Sequence, residues 1–205
     1  MRVNTHTYWY FPGILPDKFC EDIKRFATES TKTQKAETGF SHTDNYTVFK
    51  KRSLKKLHRT RKSTVTWLDE PWIHLELNRL ATVANERSGW DLSWSTGEGI
   101  QFTEYTRSGH YGWHQDKWER PLHRPGHWLH NTNRQLSMTV NLSDPKDYGG
   151  GGLEFCIIDK GKAKILTCKE ILPKGSVCVF PSEMWHRITP VTRGKRTSLV
   201  KWLSA

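Results

Sequence analysis

A chain of 205 residues is long enough for one full-sized domain and too short for two comfortable ones, and its ten Trp, eight Phe and six Tyr supply volume for a sizeable core. That content excludes a disordered chain, and no apolar run is long enough to span a membrane. The net charge of +11 is local: the run 50–62, bounded by Lys50 and Lys62, carries eight Lys/Arg, and without it the balance falls to +3. Such a run reads as a solvated loop, or as a surface for nucleic acid or an acidic protein. Cys20, Cys156, Cys168 and Cys178 form no close metal-ligand pairs and read as buried free thiols of a reducing compartment. Nothing near Met1 resembles a signal peptide, so the expected location is the cytoplasm.

In chain order, Pro12-Gly13 predicts a turn and Pro16-Asp17 the start of a helix, with Phe19, Ile23 and Phe26 at helical spacing. Residues 30–60 are polar and basic without sustained periodicity and predict loops, followed by a strand over 62–67. Pro71 suits the first position of a second helix, Ile73, Leu77, Leu80 and Ala84 form its apolar stripe, and Gly89 stops it. From Gly99 the pattern changes to short β-prone runs, predicting strands over 100–106, 110–116, 134–142, 153–158, 163–166, 176–180, 185–189 and 195–203. The fold class is therefore mainly β with flanking helices: a jelly roll, or double-stranded β-helix, with N-terminal helices packed on one sheet. It forms a single domain over 1–205, in which 1–95 give helical support and a lid and 96–205 the catalytic core.

Read as an extended strand, 110–116 places His110, Gly112, His114 and Asp116 on one face, where His114 and Asp116 can grip one metal ion. The His-x-Asp pattern alone is weak, since a second copy, His42-Thr43-Asp44, lies in a polar stretch with no strand to fix it. What sets 114–116 apart is His186, in a strand-like run far downstream. Two His and one carboxylate that leave adjacent positions open form the facial set of a non-haem Fe(II) site. Val191-Thr192-Arg193-Gly194 reads as a hairpin turn pairing Ile188 with Arg196, one same-face step of roughly 7 Å from His186. Arg196 could then hold the distal carboxylate of a five-carbon dicarboxylate whose keto-acid end binds the iron. Ser198, Val200 and Trp202 share its inward face, and Arg193 is the fallback.

Other motifs carry less. Pro125 and Gly126 interrupt any helix that would align His123, His127 and His130, so these read as a loop rather than a second metal site. The glycines of 149–152 lack a following Lys-Ser/Thr and read as a tight turn, not a phosphate loop. Trp118 and Trp128 are either lid packing or substrate contacts.

Taken together, His114-Gln115-Asp116, His186, Arg196, Trp202 and the turn Tyr148-Gly149-Gly150-Gly151-Gly152-Leu153-Glu154-Phe155 resemble the Fe(II)/2-oxoglutarate dioxygenases, in particular the prolyl 4-hydroxylases. Phe11-Pro12-Gly13 and Cys20 are similar to that branch's opening. The resemblance implies that His114, Asp116 and His186 bind Fe(II) and that Arg196 binds the tail of 2-oxoglutarate. Tyr105 and Ser198 would line the cosubstrate pocket with Asn141, which stands where relatives carry a tyrosine. Trp118, Trp128 and Trp202 would face the substrate. Ser137, Thr139 and Asn141 form a polar face opposite Leu136, Met138, Val140 and Leu142.

The activity so implied is O2-dependent hydroxylation of an unactivated C–H bond, first a prolyl residue in a protein or peptide, releasing succinate and CO2, with ascorbate as an optional further cofactor. A rival reading is a nucleic-acid oxygenase or demethylase using the run 50–62. It is weakened because the alkylated-base demethylases carry a further arginine where this chain has Trp202. A third is a non-catalytic jelly-roll binding module, against which the intact ligand set with its arginine argues.

Overall fold

The computed structural model describes residues 6–29, 34–35 and 61–205; His42-Thr43-Asp44 and the part of the basic run over 50–60 lie outside the described residues. The N-terminal half contributes β1 (Trp9–Phe11), α1 (Asp17–Glu29), β2 (Gln34–Lys35), β3 (Arg61–Lys62), β4 (Thr64–Leu68) and α2 (Pro71–Ser88). Then follow β5 (Thr96–Gly97), β6 (Ile100–Tyr105), β7 (His110–His114), β8 (Arg134–Asn141), β9 (Tyr148–Gly150), β10 (Leu153–Asp159) and β11 (Lys162–Thr167). A 3-10 turn at Lys169–Ile171 leads into β12 (Val177–Pro181), β13 (Trp185–Ile188), β14 (Val191–Gly194) and β15 (Arg196–Ser204).

The helices form where their ends are satisfied and one face is apolar. Pro71 opens α2 at a position needing no backbone donor, and Gly89 closes it in the left-handed conformation at φ 70°, its N–H donating to the Asn85 carbonyl. Cys20, Ile23 and Ala27 of α1 and Ile73, Leu77, Leu80, Ala81 and Ala84 of α2 are buried. They pack on Leu136, Met138, Val140, Val177, Val179, Leu199 and Leu203. Leu77→Ala would cost about 2–5 kcal/mol by leaving a cavity there.

That apolar layer is one face of a major antiparallel sheet, ordered β1-β12-β8-β15-β6-β4-β2 with β5 paired to β15. The alternation of β8 decides which residues meet the helices: Leu136, Met138 and Val140 do, so Ser137, Thr139 and Asn141 face the other way. A minor sheet, β11-β10-β13-β7-β3, supplies a second cluster in which Leu153, Phe155 and Ile188 join Tyr105, Cys178 and Phe180 of the major sheet. The result is the expected jelly roll with helices on one sheet. The four cysteines are free and buried, and among the described residues no helix is long and apolar enough to cross a membrane.

Two local expectations are corrected. Strand β7 ends at His114, so Asp116 lies beyond the ladder. The segment 191–194 is not a hairpin turn between the flanking strands: it is β14, paired with β9, while β13 pairs with β10 and β7 in the minor sheet. Ile188 therefore does not face Arg196, whose partner is Tyr105 of β6 in the major sheet. Pro190 cannot donate to a ladder, and the chain changes sheets there.

Candidate active site

His114 and His186 are direct register partners on β7 and β13, so their imidazoles share one face, ring centroids 4.1 Å apart. Each Nδ1–H donates to a backbone carbonyl two residues back, His114 to Gly112 at 2.8 Å and His186 to Met184 at 2.9 Å. That bond fixes the tautomer and leaves both Nε2 lone pairs aimed inward. They sit 3.5 Å from opposite oxygens of Asp116, His114 on Oδ1 and His186 on Oδ2.

Asp116 is held although it lies outside β7. Its N–H and that of Lys117 both donate to the Ser182 carbonyl at 2.9 Å, and the buried Ser182 hydroxyl bonds that of Ser137 at 2.8 Å. Burial opposes ionisation of Asp116, but the His186 and His114 rings, when protonated, and the Arg134 guanidinium outweigh it. Its carboxyl is held well below the usual carboxylate range. Burial, then the neighbouring His114, brings His186 down to about 4, so that ring is neutral at pH 7.

The three ligand atoms lie within 4.8 Å of one another, the one such His/Cys/Asp/Glu cluster among the described residues. Two imidazole nitrogens whose lone pairs face a carboxylate fit a divalent transition ion. A cavity of about 430 Å³ opens beside them, walled by Leu153, Phe180 and Ile188 and by Tyr111, whose ring stacks on His114 at 3.6 Å. Burial raises the Tyr111 phenol to about 12, so it stays protonated.

The residues expected to line the cosubstrate pocket divide. Tyr105, Ser198 and Trp202 line the cavity, as does Thr139. Arg196 is 1% exposed and points inward, as expected, but borders an adjoining recess behind Leu153. Among the described residues its side chain makes one hydrogen bond, donated from Nη1 to Ser198 Oγ at 3.3 Å, and the Tyr105 ring centre lies 5.7 Å from the guanidinium carbon. Among the described residues no carboxylate pairs with it. A buried guanidinium without a counter-ion is costly, so the position favours an anionic ligand. Asn141 does not reach the cavity: its amide donates to the carbonyls of Ser143 and Leu172 at 3.1 and 2.8 Å, which ties two loops together. Arg193, the fallback, donates to the Lys146 and Tyr148 carbonyls and braces a turn.

Trp118 and Trp128 are absent from the cavity wall. Trp128 is 57% exposed and stacks on His127. Trp118 and Trp202 sandwich the Arg134 guanidinium, which lies 4.9 and 3.9 Å from their rings. The histidine loop is a loop, as expected: His127 and His130 accept N–H bonds from Leu129 and Arg124 at Nδ1.

Sequence reasoning missed Ser182, which carries Asp116, and Arg134, which pairs with Glu98 at 2.5 and 2.6 Å behind Trp202. It also missed Arg61 and Gln101 on the cavity wall, joined through the guanidinium to Gln101 Oε1 at 2.5 Å. A signal existed for one: Pro181-Ser182 is the turn before the His186 strand.

The chain is similar to known proteins. Residues 100–204 match the profile of the 2OG-Fe(II) oxygenase superfamily. A PKHD-type hydroxylase of Shewanella frigidimarina is 33% identical over 104 residues, 51% of this chain and 42% of that protein. The chain thus spans less than half the length of the curated relatives it matches. A Pseudomonas putida prolyl-4-hydroxylase superposes with a TM-score of 0.66 at 20% identity, covering 98% of this chain and 94% of that one. The collagen prolyl hydroxylase of Paramecium Bursaria Chlorella virus-1 gives 0.64 at 18%, covering 98% and 97%. At such identities the likeness is one of fold.

Proposed function

The chain belongs to the 2OG-Fe(II) oxygenase superfamily, and from that premise we propose that it hydroxylates a prolyl residue in a protein or peptide. The observation that carries this is the convergence of His114, Asp116 and His186 on one point beside a cavity, with the unpaired Arg196 next to it. His114, Asp116 and His186 hold Fe(II), and Arg196 holds the distal carboxylate of 2-oxoglutarate. Bound there, the metal supplies O2 chemistry coupled to decarboxylation of 2-oxoglutarate to succinate and CO2.

The chain's own residues do the rest. The Gly112 and Met184 carbonyls keep both imidazoles turned to the metal. Leu153, Phe180 and Ile188 keep water from that side of the cavity. Trp202, fixed by the Glu98-paired Arg134, forms a rigid wall whose indole N–H has no partner among the described residues. The relatives are named hydroxylases, and the names of the superposed prolyl hydroxylase structures support proline as the target.

The test is a panel of proline peptides with Fe(II) and 2-oxoglutarate, scored for succinate and for gain of one oxygen by mass spectrometry. A hydroxylated peptide is expected; oxygen gain in an oligonucleotide and in no peptide would overturn the reading. Arg196→Gln is expected to raise the half-saturating 2-oxoglutarate by about 100-fold, the loss of a buried charge-assisted pair. An equal loss of iron affinity would contradict the assignment.

A nucleic-acid substrate is a second reading because Arg61, near the end of the basic run, lines the cavity and Lys62 is exposed beside it. It requires oligonucleotide-stimulated succinate release that falls steeply with salt.

A further inference from the structure

Cys168 and Cys178 lie ten residues apart in the chain and face one another, Sγ to Sγ, at 4.0 Å. Cys168 follows the last residue of β11, and Cys178 is the second residue of β12. Both backbones are fixed: the Cys168 N–H donates to the Leu153 carbonyl at 2.9 Å, and Cys178 stands in register with Tyr10 of β1 and Thr139 of β8. Among the described residues no other pair of cysteine sulfurs makes contact.

The segment between the two is already tied down on the far side. Asn141 donates from its side-chain amide to the Leu172 carbonyl and from its N–H to the Ser176 carbonyl, and its own carbonyl accepts the Gly175 N–H. Those bonds bring the sulfurs together in the reduced protein. A disulfide needs them about 2.05 Å apart, so each would move by about 1 Å, which side-chain rotation can supply.

The two thiols differ in reach and in acidity. Cys168 borders the recess of about 310 Å³ beside Arg196, where a molecule as small as peroxide can meet its sulfur, whereas Cys178 is 0% exposed. Burial, then the contact with Cys168, pushes the Cys178 thiol well up, so it keeps its proton. Cys168 is therefore the sulfur that an oxidant meets, and Cys178 the one that answers it.

We propose that Cys168 and Cys178 form an oxidation site, which hydrogen peroxide converts into a reversible disulfide tying the end of β11 to β12. The Cys168 sulfur attacks one peroxide oxygen; an S–O bond forms, the O–O bond breaks, and the leaving hydroxide takes the thiol proton as water. The Cys178 sulfur then attacks that of Cys168; the S–S bond forms, the S–O bond breaks, and the second water leaves with the Cys178 proton. Two thiols are oxidised by two electrons, and one peroxide is reduced to two waters.

The experiment treats the full chain, its metal site filled with redox-inert Zn(II), with hydrogen peroxide, then alkylates it under denaturing conditions and maps the peptides by mass spectrometry. Four alkylated thiols are expected before treatment and two after, with the peptides carrying Cys168 and Cys178 joined at the cost of two hydrogens and released by a reductant. The oxidised protein should melt about 5 °C higher, from closing so short a loop. Cys178→Ala is expected to leave Cys168 as a sulfenic acid captured by dimedone, at least about tenfold more than in wild type. Cys168 and Cys178 both still alkylated at a dose that has modified Cys20 or Cys156 would overturn the proposal. Equal dimedone capture in wild type and Cys178→Ala would overturn it too, since Cys178 would then not be resolving.

Discussion

Two Asp–His arrangements among the described residues do opposite things. In the first, His114 and His186 give their Nδ1 hydrogens to strand carbonyls and turn two lone pairs toward Asp116. In the second, His74 of α2 bridges Asp69, 2.9 Å from its Nε2, and the Lys201 ammonium of β15, 2.6 Å from its Nδ1. Every polar atom of the His74 ring is already matched, one side to an acceptor and the other to a donor. Its carboxylate is also 90% exposed. A cation site needs lone pairs with no donor to fill them, and only the first arrangement has that.

The largest contrast is in turnover. Asp116→Ala should lower succinate release by more than about 100-fold, since losing even an outer partner of a metal ligand costs about 10–100-fold. A loss of less than about tenfold in a purified sample would break the contrast.

The next effect lies in stability. Lys201 is 1% exposed, and burial lowers its pKa from 10.5 to about 8. A depressed lysine makes the fold least stable below pH 8, and the penalty is relieved as pH rises from 8 to 10.5. At 1.36 kcal/mol per unit, Lys201→Met should gain about 3 kcal/mol over wild type near pH 7, less the lost bond to His74. That advantage should vanish by about pH 10.5. The difference between the two proteins is the quantity to follow in urea melts, because Cys20, raised by burial to about 11, and Tyr111, raised to about 12, pull total stability down over the alkaline range. An advantage that is flat with pH would mean that Lys201 is not titrating.

A smaller effect is expected at Glu98. Glu98→Gln removes the partner of the largely buried Arg134 and should cost about 2 kcal/mol in the same melts. It should also loosen Trp202, seen as a change in tryptophan fluorescence. No change in either would mean that the aromatic sandwich alone holds Arg134.

Much of this was legible in the chain. The alternation Leu136, Met138, Val140 against Ser137, Thr139, Asn141 is a local signal of period two, and the stripe Ile73, Leu77, Leu80, Ala84 one of period 3.6. His114, Asp116 and His186 could be chosen because strand pattern set them apart from His42-Thr43-Asp44. What failed was long-range pairing. Whether β14 turns back on β13 or crosses to β9 depends on partners 40 residues and more away, as Arg193↔Gly149 shows, and no local period encodes that. The surroundings of Asn141 and Trp118 were illegible for the same reason: the acceptors of one and the arginine over the other come from elsewhere in the chain. The glycine run was legible as a turn, but not the close approach of Arg196, whose Cδ would stand 2.9 Å from a Cβ on Gly151.

The central claim is that His114, Asp116 and His186 share one metal ion. Anaerobic calorimetric titration with Fe(II) tests it most directly, on the wild-type protein, His186→Ala and Asp69→Ala. One equivalent bound by the wild type and by Asp69→Ala, with none in the same concentration range for His186→Ala, is the predicted result; one equivalent retained by His186→Ala would contradict it.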